Sequence, residues 1–274
     1  MKVIDIKHEW TWIFTEGLGK AYGCHINNHS YEVNTLKSSN PFFYFCKNIK
    51  YDEKTGAFSS SSQNNEVYKN NFLPKVWWGN DWTPPPLKEH YSEISPIESK
   101  KPILIVNNKY SPEWGGRFYN YLSCDFLDKF FSAFENEFDI YYIRYEGGCW
   151  SNSGHGYYDD VPSDLDFGDY KLINQKYPKI TTIFDVIDKY GWGFNEAQCM
   201  IMSKSNHHIS VAGGNAVLSS YFGGDVFIYN HHNCPSTHRG IWHNDSWLKE
   251  LSGSNIIGTQ NYDKLLEMCK KKWL

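Results

Sequence analysis

The residues that most clearly suggest a ligand-binding role are two glycines, Gly213 and Gly214. They separate an apolar segment from a segment of small residues. The letters HISV before them are typical of a strand, and the letters AVLSSYF after them are typical of a helix. Glycine lets the backbone approach a bulky anion, and the free N–H groups at a helix start favour phosphate. The pattern predicts either a phosphate-binding turn or a tight turn without a ligand.

Several enzyme classes are disfavoured because their motifs are missing from the sequence. No GxGxxG follows the first apolar strand of the C-terminal half, KPILIVNN, which disfavours a nicotinamide-binding fold. No GxxxxGK[ST] segment is present, so a P-loop kinase is excluded. The letters SGHG at 153–156 lack the GxSxG order of a nucleophile elbow, which disfavours a serine hydrolase.

Composition indicates an ordered globular protein. Of the 274 residues, 41% are hydrophobic and 18% are aromatic, a content that argues against disorder. The formal net charge of -4 provides no basic footprint for nucleic acid. The charged opening MKVIDIKHEW and the lack of an apolar run of about 20 residues predict a cytoplasmic chain without stable membrane insertion. Seven cysteines without a CxxC pair predict reduced thiols rather than a zinc ribbon or a disulfide framework.

The elements that must position the glycine turn follow from hydrophobic periodicity. After a proline-rich and charged stretch at 83–102, strand-like runs (KPILIVNN, DIYYIRYEGG, KITTIFDVI, HISV and DVFIYN) alternate with helix-like ones (YLSCDFLDKFFSAFENEF, DYKLINQKY, NEAQCMIMSKSN and AVLSSYF). Such alternation predicts an α/β fold with a parallel sheet covered on both faces. Gly213 and Gly214 then lie at the carboxyl edge of that sheet, where ligands of open α/β folds bind.

Four segments together resemble the nucleotide-sugar-binding half of a glycosyltransferase with the GT-B fold, in particular the compact transferases of large DNA viruses and of bacterial polysaccharide loci. They are KPILIVNNKYSPEWG, IYYIRYEG, DFGDYKLINQKYPKI and NEAQCMIMSKSNHHISVAGGNAVLSSYFGGDVFIY. The resemblance covers about residues 101–230, and the helix–strand–GGN–helix–strand block is its most specific part. It implies two Rossmann-like domains, with a parallel sheet in the C-terminal half and a reduced N-terminal domain.

The resemblance also implies a division of the chain. Residues 1–82 would form the acceptor-side domain, 83–101 a linker and 102–258 the nucleotide-sugar-binding domain, while 259–274 would form a helix that packs back on the N-terminal domain. The implied activity is transfer of a sugar from a nucleotide-diphosphate donor to a glycan or other hydroxyl acceptor. We expect no cofactor besides this co-substrate, and neither nucleic acid nor membrane as a partner.

Under this resemblance, donor binding falls to residues at the strand ends. The leaving diphosphate would be stabilised by two cations, Lys109 and Arg144, and by backbone N–H groups of the glycine turn. The alternative for each cation is a structural role, for Arg144 as the partner of a nearby carboxylate. The loop SPEWGG would close over the donor through Glu113 and Trp114, or Trp114 would only fill the domain interface. The remaining expected donor-binding residues are Asn108, Phe184, Asp185, Gly213, Gly214, Asn215 and Ser219, with Ser220 as the alternative to Ser219.

The base that deprotonates the acceptor hydroxyl is expected in the N-terminal domain. The stretch FTEGLGKAYGCHINNH places Glu16 in a glycine turn and His25 shortly after it. Either side chain is a candidate catalytic base. The simpler alternatives are a first-turn carboxylate for Glu16 and a satisfied polar side chain for His25.

Two competing interpretations remain open. One is a glycan- or nucleotide-binding protein without catalysis. The other is a metal-dependent enzyme, built either on the Asp-x-Asp pair of a polar loop, Asp164 and Asp166, or on a cluster of zinc-type ligands: His231, His232, Cys234, His238 and His243. The acidic pair does not follow a strand, and the histidines lack the paired spacing of zinc sites, so we expect no metal.

Overall fold

The computed structural model describes an α/β protein with two parallel β-sheets. The described residues are 2–6, 13–52, 82–110, 118–145, 166–232 and 247–274. The parallel sheet predicted for the C-terminal half is confirmed, and it contains six strands.

The smaller sheet belongs to the N-terminal part of the chain. Its strands β1 (Lys2–Ile6), β2 (Tyr31–Leu36) and β3 (Ile49–Asp52) lie side by side in that order. Between β1 and β2, a π-helical turn, Ile13–Gly17, continues directly into helix α1, Leu18–Ile26. A 3-10 helix, Lys37–Phe43, connects β2 to β3.

The glycine turn expected around Glu16 is wrong, because this segment is helical. Gly19 lies inside α1, where a Cβ atom would come within 2.4 Å of the Trp82 indole. The glycine is therefore explained by close packing of the indole on the helix, not by a turn. The indole Nε1 also donates a hydrogen bond to the Thr15 carbonyl over 3.0 Å, which holds the π-helical turn in place.

The proline-rich stretch expected to be a linker contains helix α2, Leu87–Ile94. The side chains of Leu87 and Tyr91 are buried in the core. The Ser95 hydroxyl donates to the Met200 carbonyl over 2.9 Å. This segment is thus a packed helix, which joins the N-terminal part of the chain to the larger sheet.

The larger sheet has the strand order of a doubly wound Rossmann fold. Its strands lie in the order β6-β5-β4-β7-β8-β9, and each neighbouring pair is parallel. Numbered from its own first strand, this is the order 3-2-1-4-5-6. The strands are β4 (Ile103–Asn108), β5 (Asp139–Arg144), β6 (Thr181–Thr182), β7 (His207–Val211), β8 (Asp225–Tyr229) and β9 (Asn255–Thr259).

The helices that follow these strands mostly agree with the sequence pattern. They are α3 (Cys124–Phe134), α4 (Asp169–Lys176), α5 (Ile183–Tyr190), α6 (Phe194–Met202), α7 (Gly214–Ser220) and α8 (Tyr262–Trp273), with a 3-10 helix at Trp247–Leu251. The strand predicted for KITTIFDVI is wrong beyond Thr182. There the Thr182 hydroxyl accepts from the Asp185 N–H while the Asp185 carboxylate accepts from the Thr182 N–H, a capping box that starts α5 instead.

Two apolar clusters cover the two faces of the six-stranded sheet. One contains α3 and the buried residues of α8, Leu265 and Cys269. The other is continuous from the N-terminal sheet through α2 to α6 and α7. The expectation that the C-terminal helix returns to the N-terminal domain is wrong, because α8 packs on the first of these faces. There the Trp273 Nε1 donates to the Asp225 carboxylate over 3.1 Å.

Candidate functional site

The candidate site lies at the carboxyl ends of β4 and β7. These two strands are neighbours, and the chain leaves them toward opposite sides of the sheet. In doubly wound folds, this change of direction opens a crevice in which ligands bind. Lys109 follows β4 directly, and the turn Ala212–Gly213 follows β7.

Lys109 and Gly213 meet in this crevice. The Lys109 Nζ lies 3.1 Å from the position that a Cβ atom on Gly213 would occupy. Gly213 also has a φ of +136°, a conformation that residues with a side chain rarely adopt. Both the backbone conformation and the neighbouring ammonium group therefore require glycine here.

Helix α7 begins directly after the turn, and no side chain caps its first N–H groups. The Gly213 carbonyl accepts from Ala216 over 3.1 Å and from Val217 over 3.3 Å. Within the described ranges, the N–H groups of Gly214 and Asn215 have no acceptor. The Asn215 side-chain amide donates to the Asn108 carbonyl over 3.4 Å, which ties the helix start to the end of β4. One ammonium group and two N–H donors thus share the crevice.

Arg144, expected to bind the diphosphate, instead forms a buried ion pair with Asp169. The Arg144 Nη2 lies 2.7 Å from the Asp169 Oδ1, and its Nε donates to the other carboxylate oxygen. Its Nη1 donates to the Tyr145 carbonyl over 3.2 Å, and its guanidinium lies 4.7 Å from the centre of the Tyr170 ring. Only 2% of Arg144 is exposed. The structure therefore gives it a role in positioning, not in contacting a ligand.

Electrostatics favour the charged form of this ion pair. Burial alone lowers the pKa of Arg144, but the hydrogen bonds and charge of Asp169 outweigh burial and raise it. Burial and the same carboxylate raise the pKa of Tyr142, whose hydroxyl donates to Asp169. At neutral pH, Arg144 is therefore a guanidinium and Tyr142 a neutral phenol.

Asn108 belongs to the same network and has no free amide group. Its Nδ2 donates to the Tyr142 hydroxyl over 3.0 Å and to the Leu122 carbonyl over 3.1 Å. Its Oδ1 accepts from the N–H groups of Lys109 and Leu122. The structure thus corrects the expected donor contact of this side chain. Its hydrogen bonds fix the backbone from which Lys109 projects.

Three other expected donor-binding residues are engaged elsewhere. The Ser219 hydroxyl is buried and donates to the Asn215 carbonyl over 2.9 Å, within α7. Asp185 is held in the capping box of α5, where it accepts from the Thr182 N–H over 2.7 Å. Phe184 lies on the same helix, and its ring centre is 5.5 Å from that of Tyr170. The strand end at which Phe184 and Asp185 were expected does not exist.

Asn107, which the sequence analysis missed, is buried next to the crevice. It is 1% exposed, and neither polar atom of its amide has a hydrogen-bond partner among the described residues. An unpaired buried amide costs about 1–3 kcal/mol. The signal was present in the letters NN at the end of β4, because alternation along a strand directs Asn107 to the opposite face from Asn108.

Glu16 lies on the π-helical turn, which packs against α7. The Tyr221 hydroxyl, just after α7, donates to the Phe14 carbonyl over 2.5 Å and so joins the turn to that helix. Burial raises the pKa of Glu16 to about 7, and the nearby charge of Lys20 offsets only part of this effect. A carboxyl group with such a pKa is poised to accept a proton near neutral pH.

His25, the other candidate base, lies in the last turn of α1. Its ring centre is 5.4 Å from Phe45 and 6.1 Å from Tyr22. These contacts explain the side chain as part of the aromatic packing of the N-terminal sheet. These contacts do not place the His25 ring at the Gly213 turn.

Several expected residues lie outside the described ranges, among them Glu113 and Trp114. Of the proposed metal ligands, Asp164, Cys234, His238 and His243 also lie outside them. Asp166 is described, and its carboxylate accepts from the Gly168 N–H over 2.8 Å. The rings of His231 and His232 stack with centres 4.5 Å apart. The described part of the chain contains no group of three or more His, Cys, Asp or Glu side chains suited to a metal.

Within the described ranges, no helix combines the length and apolar character needed to cross a membrane. The longest, α8, has 12 residues, three of them consecutive lysines in its last turn.

Comparison with known proteins does not place the chain in a family. No protein-family model, no curated protein and no solved structure matches it.

Proposed function

We propose that this protein is a glycosyltransferase of GT-B type, which transfers a sugar from a nucleotide-diphosphate donor to the hydroxyl group of a glycan or another acceptor. The observation that carries this proposal is the position of the Lys109 ammonium beside the Gly213 turn. This pair lies at the switch point of a Rossmann-ordered sheet. A diphosphate is the ligand that suits a cation and free N–H groups at such a place.

In the proposed reaction, the bond between the anomeric carbon and the donor phosphate oxygen breaks, and a bond to the acceptor oxygen forms. The nucleoside diphosphate leaves with the bonding electron pair. Lys109 and the N–H groups of Gly214 and Asn215 stabilise the negative charge that develops on it. The network of Arg144 and Asp169 acts indirectly by holding the end of β5, while Tyr142 and Asn108 extend the support to β4.

Glu16 is the proposed base that takes the proton of the acceptor hydroxyl. Burial raises the pKa of its carboxyl group to about 7, which suits this role. Its turn packs on α7, the helix that starts at the diphosphate site. His25 is assigned to aromatic packing instead.

The proposal requires no resident cofactor and no divalent metal, since a cation and backbone donors offset the charge of the leaving group. The test is turnover of a panel of nucleotide sugars, with mixed glycans as acceptors, in the presence and absence of EDTA. Turnover that persists with EDTA supports the proposal. Turnover lost with EDTA supports the metal-dependent alternative, and donor binding without turnover supports a binding protein without catalysis.

A further inference from the structure

A cavity of about 540 Å³ lies between the N-terminal sheet and α2, away from the glycine turn. Its floor and walls come from the segment that follows β2, from β3 and from α2, and the first turn of α6 closes one side. The volume is in the range of pockets that bind small molecules. None of the residues assigned to the diphosphate site lines it.

Aromatic rings form much of the cavity wall. Tyr44 and His90 stack with ring centres 3.7 Å apart and planes only 3° from parallel. Tyr51, on the edge strand β3, is 46% exposed, and its hydroxyl donates to the Asn40 Oδ1. This bond fixes the direction of the phenol ring, so Tyr51 offers an oriented and accessible apolar face.

The charged groups of the cavity balance each other. Among the described residues that line it, Lys47 and Glu196 are the charged side chains. Burial lowers the pKa of His90, so its imidazole is neutral at pH 7. Burial also raises the pKa of the Cys46 thiol to about 11, which keeps that group protonated and unreactive.

The hydrogen-bonding groups at the wall include both donors and acceptors. The hydrogen bond from Tyr51 uses only the side-chain oxygen of Asn40. The Asn40 Nδ2 has no hydrogen bond to another described residue. Lys47 adds a cationic donor and Glu196 an anionic acceptor. A purely apolar ligand would remove water from these groups without replacing it, at a cost in free energy. A nucleotide would bring several negative charges to a wall whose described residues supply one cation and one carboxylate.

We propose that this cavity is a binding site for a neutral saccharide. The apolar face of a sugar ring packs against Tyr51, and the sugar hydroxyl groups form hydrogen bonds with Asn40, Lys47 and Glu196. The inference goes beyond the proposed transfer reaction, because it concerns a separate site with its own residues. Sugar rings present an apolar face of C–H groups and a rim of hydroxyls, which matches an aromatic surface bordered by a donor amide, a cation and a carboxylate.

The experiment is a binding assay on the full chain by saturation-transfer NMR, followed by titration calorimetry of any ligand found. The probes are neutral mono- to tetrasaccharides of glucose, galactose, mannose and N-acetylglucosamine, with nucleosides as a comparison set. Tyr51→Ala removes the ring face, and we expect it to weaken saccharide binding at least about tenfold. Ile26→Ala is the matched control, because Ile26 is 47% exposed on α1 and does not line the cavity.

Two further variants keep the result clear. Glu196→Gln preserves the shape of the side chain, tests the site if Tyr51→Ala fails to fold, and is expected to lower affinity severalfold. Lys109→Ala should leave saccharide binding unchanged, which separates this site from the diphosphate site. The proposal is overturned if no saccharide binds folded protein, if nucleosides bind in place of saccharides, or if Tyr51→Ala or Glu196→Gln binds as tightly as the parent chain. It is also overturned if Lys109→Ala abolishes the binding.

Discussion

Arg144 and Asp169 form a bidentate ion pair in the interior of the protein, with the Arg144 Nη2 2.7 Å from the Asp169 Oδ1 and both side chains at most 2% exposed. The pair joins the end of β5 to the first residue of α4. Through Tyr142 it also supports Asn108, the last residue of β4. The Arg144 charge at the end of β5 thus helps to fix the positions of two strands, β4 and β5, and of helix α4 relative to one another.

Removing one member of this pair should destabilise the fold strongly. Asp169→Ala leaves a buried guanidinium without its counter-ion, and we expect the free energy of unfolding in urea to fall by about 3–5 kcal/mol. The double variant Arg144→Met with Asp169→Leu should recover much of that loss, because no charge stays buried. A single variant as stable as the parent chain would contradict the structural role given to the pair.

Gly213→Ala tests the requirement for glycine at the turn. The φ of +136° and the Lys109 ammonium at 3.1 Å both oppose a Cβ atom, and we expect a loss of about 1–3 kcal/mol in unfolding free energy together with weaker binding of a nucleotide diphosphate. Gly191→Ala is the matched control. Its φ is also positive, +72°, but a Cβ there would meet no atom within 4 Å.

The comparison between the two glycine variants isolates the effect on the ligand. Gly191→Ala should lose some stability and leave ligand binding intact, as measured by calorimetric titration at a temperature at which both variants are folded. Equal binding by the Gly213 and Gly191 variants would show that the turn does not contact the ligand.

The raised pKa of Glu16 predicts a pH dependence of the proposed transfer reaction. A base with a pKa of about 7 is protonated and inactive at pH 5 and ionised at pH 8, so kcat/KM should rise with pH through neutrality. Glu16→Gln should remove this rise and most of the activity. The same shift lowers stability as pH rises from 4.5 toward 7, because the folded state retains the proton that the unfolded chain releases.

Glu16→Gln should therefore raise the melting temperature at pH 8 but not at pH 4. This second readout distinguishes a misassigned base from a wrong pKa. If the variant keeps full activity yet shows the stability pattern, the carboxyl group is buried as described but does not accept the proton.

Strand β4 and helix α3 could be predicted from the sequence because their local residue pattern agrees with their burial in the tertiary structure. The run ILIVNN is buried along its whole length in the centre of the sheet, and the apolar spacing of α3 matches the face that it buries. KITTIFDVI failed because its β-branched residues favour a strand, while the hydrogen bonds between Thr182 and Asp185 start a helix after two strand residues.

The candidate site could be predicted from the sequence only in part, because some of its properties depend on contacts between distant elements. A glycine pair between a strand and a helix identifies a turn from local sequence, and the structure brings Lys109 to it. The partner of Arg144 lies 25 residues away, on another element, so local sequence could not distinguish a structural cation from a ligand-binding one. The pKa of Glu16 depends on how the π-helical turn is buried, which is a property of the tertiary fold.

His208 predicts acid sensitivity of the folded state. It is fully buried in β7, and burial lowers its pKa from 6.5 to about 3. The folded state therefore binds fewer protons than the unfolded chain below pH 6.5, and stability is lost as pH falls. We expect this histidine to contribute a loss of about 2 kcal/mol between pH 7 and pH 5.

The measurement is urea unfolding of the parent chain and His208→Leu across this pH range. The variant should show a smaller loss on acidification, and the remaining dependence should include His207, whose pKa burial also lowers. Parallel pH profiles for the two proteins would contradict the buried, neutral state of His208.

The central claim is that Lys109 and the Gly213 turn bind the diphosphate of a nucleotide sugar. The most direct measurement is thermal unfolding of the parent chain, Lys109→Ala and Lys271→Ala with a panel of nucleoside diphosphates and their sugars. Lys271 is an exposed lysine in the last turn of α8, and its replacement removes the same charge away from the crevice. We predict that one donor class raises the melting temperature of the parent and of Lys271→Ala, by a stabilisation of about 2.7 kcal/mol at a hundredfold excess over Kd, and that Lys109→Ala loses most of this shift. No shift with any nucleotide in the folded parent chain, or an equal shift in Lys109→Ala, would contradict the claim.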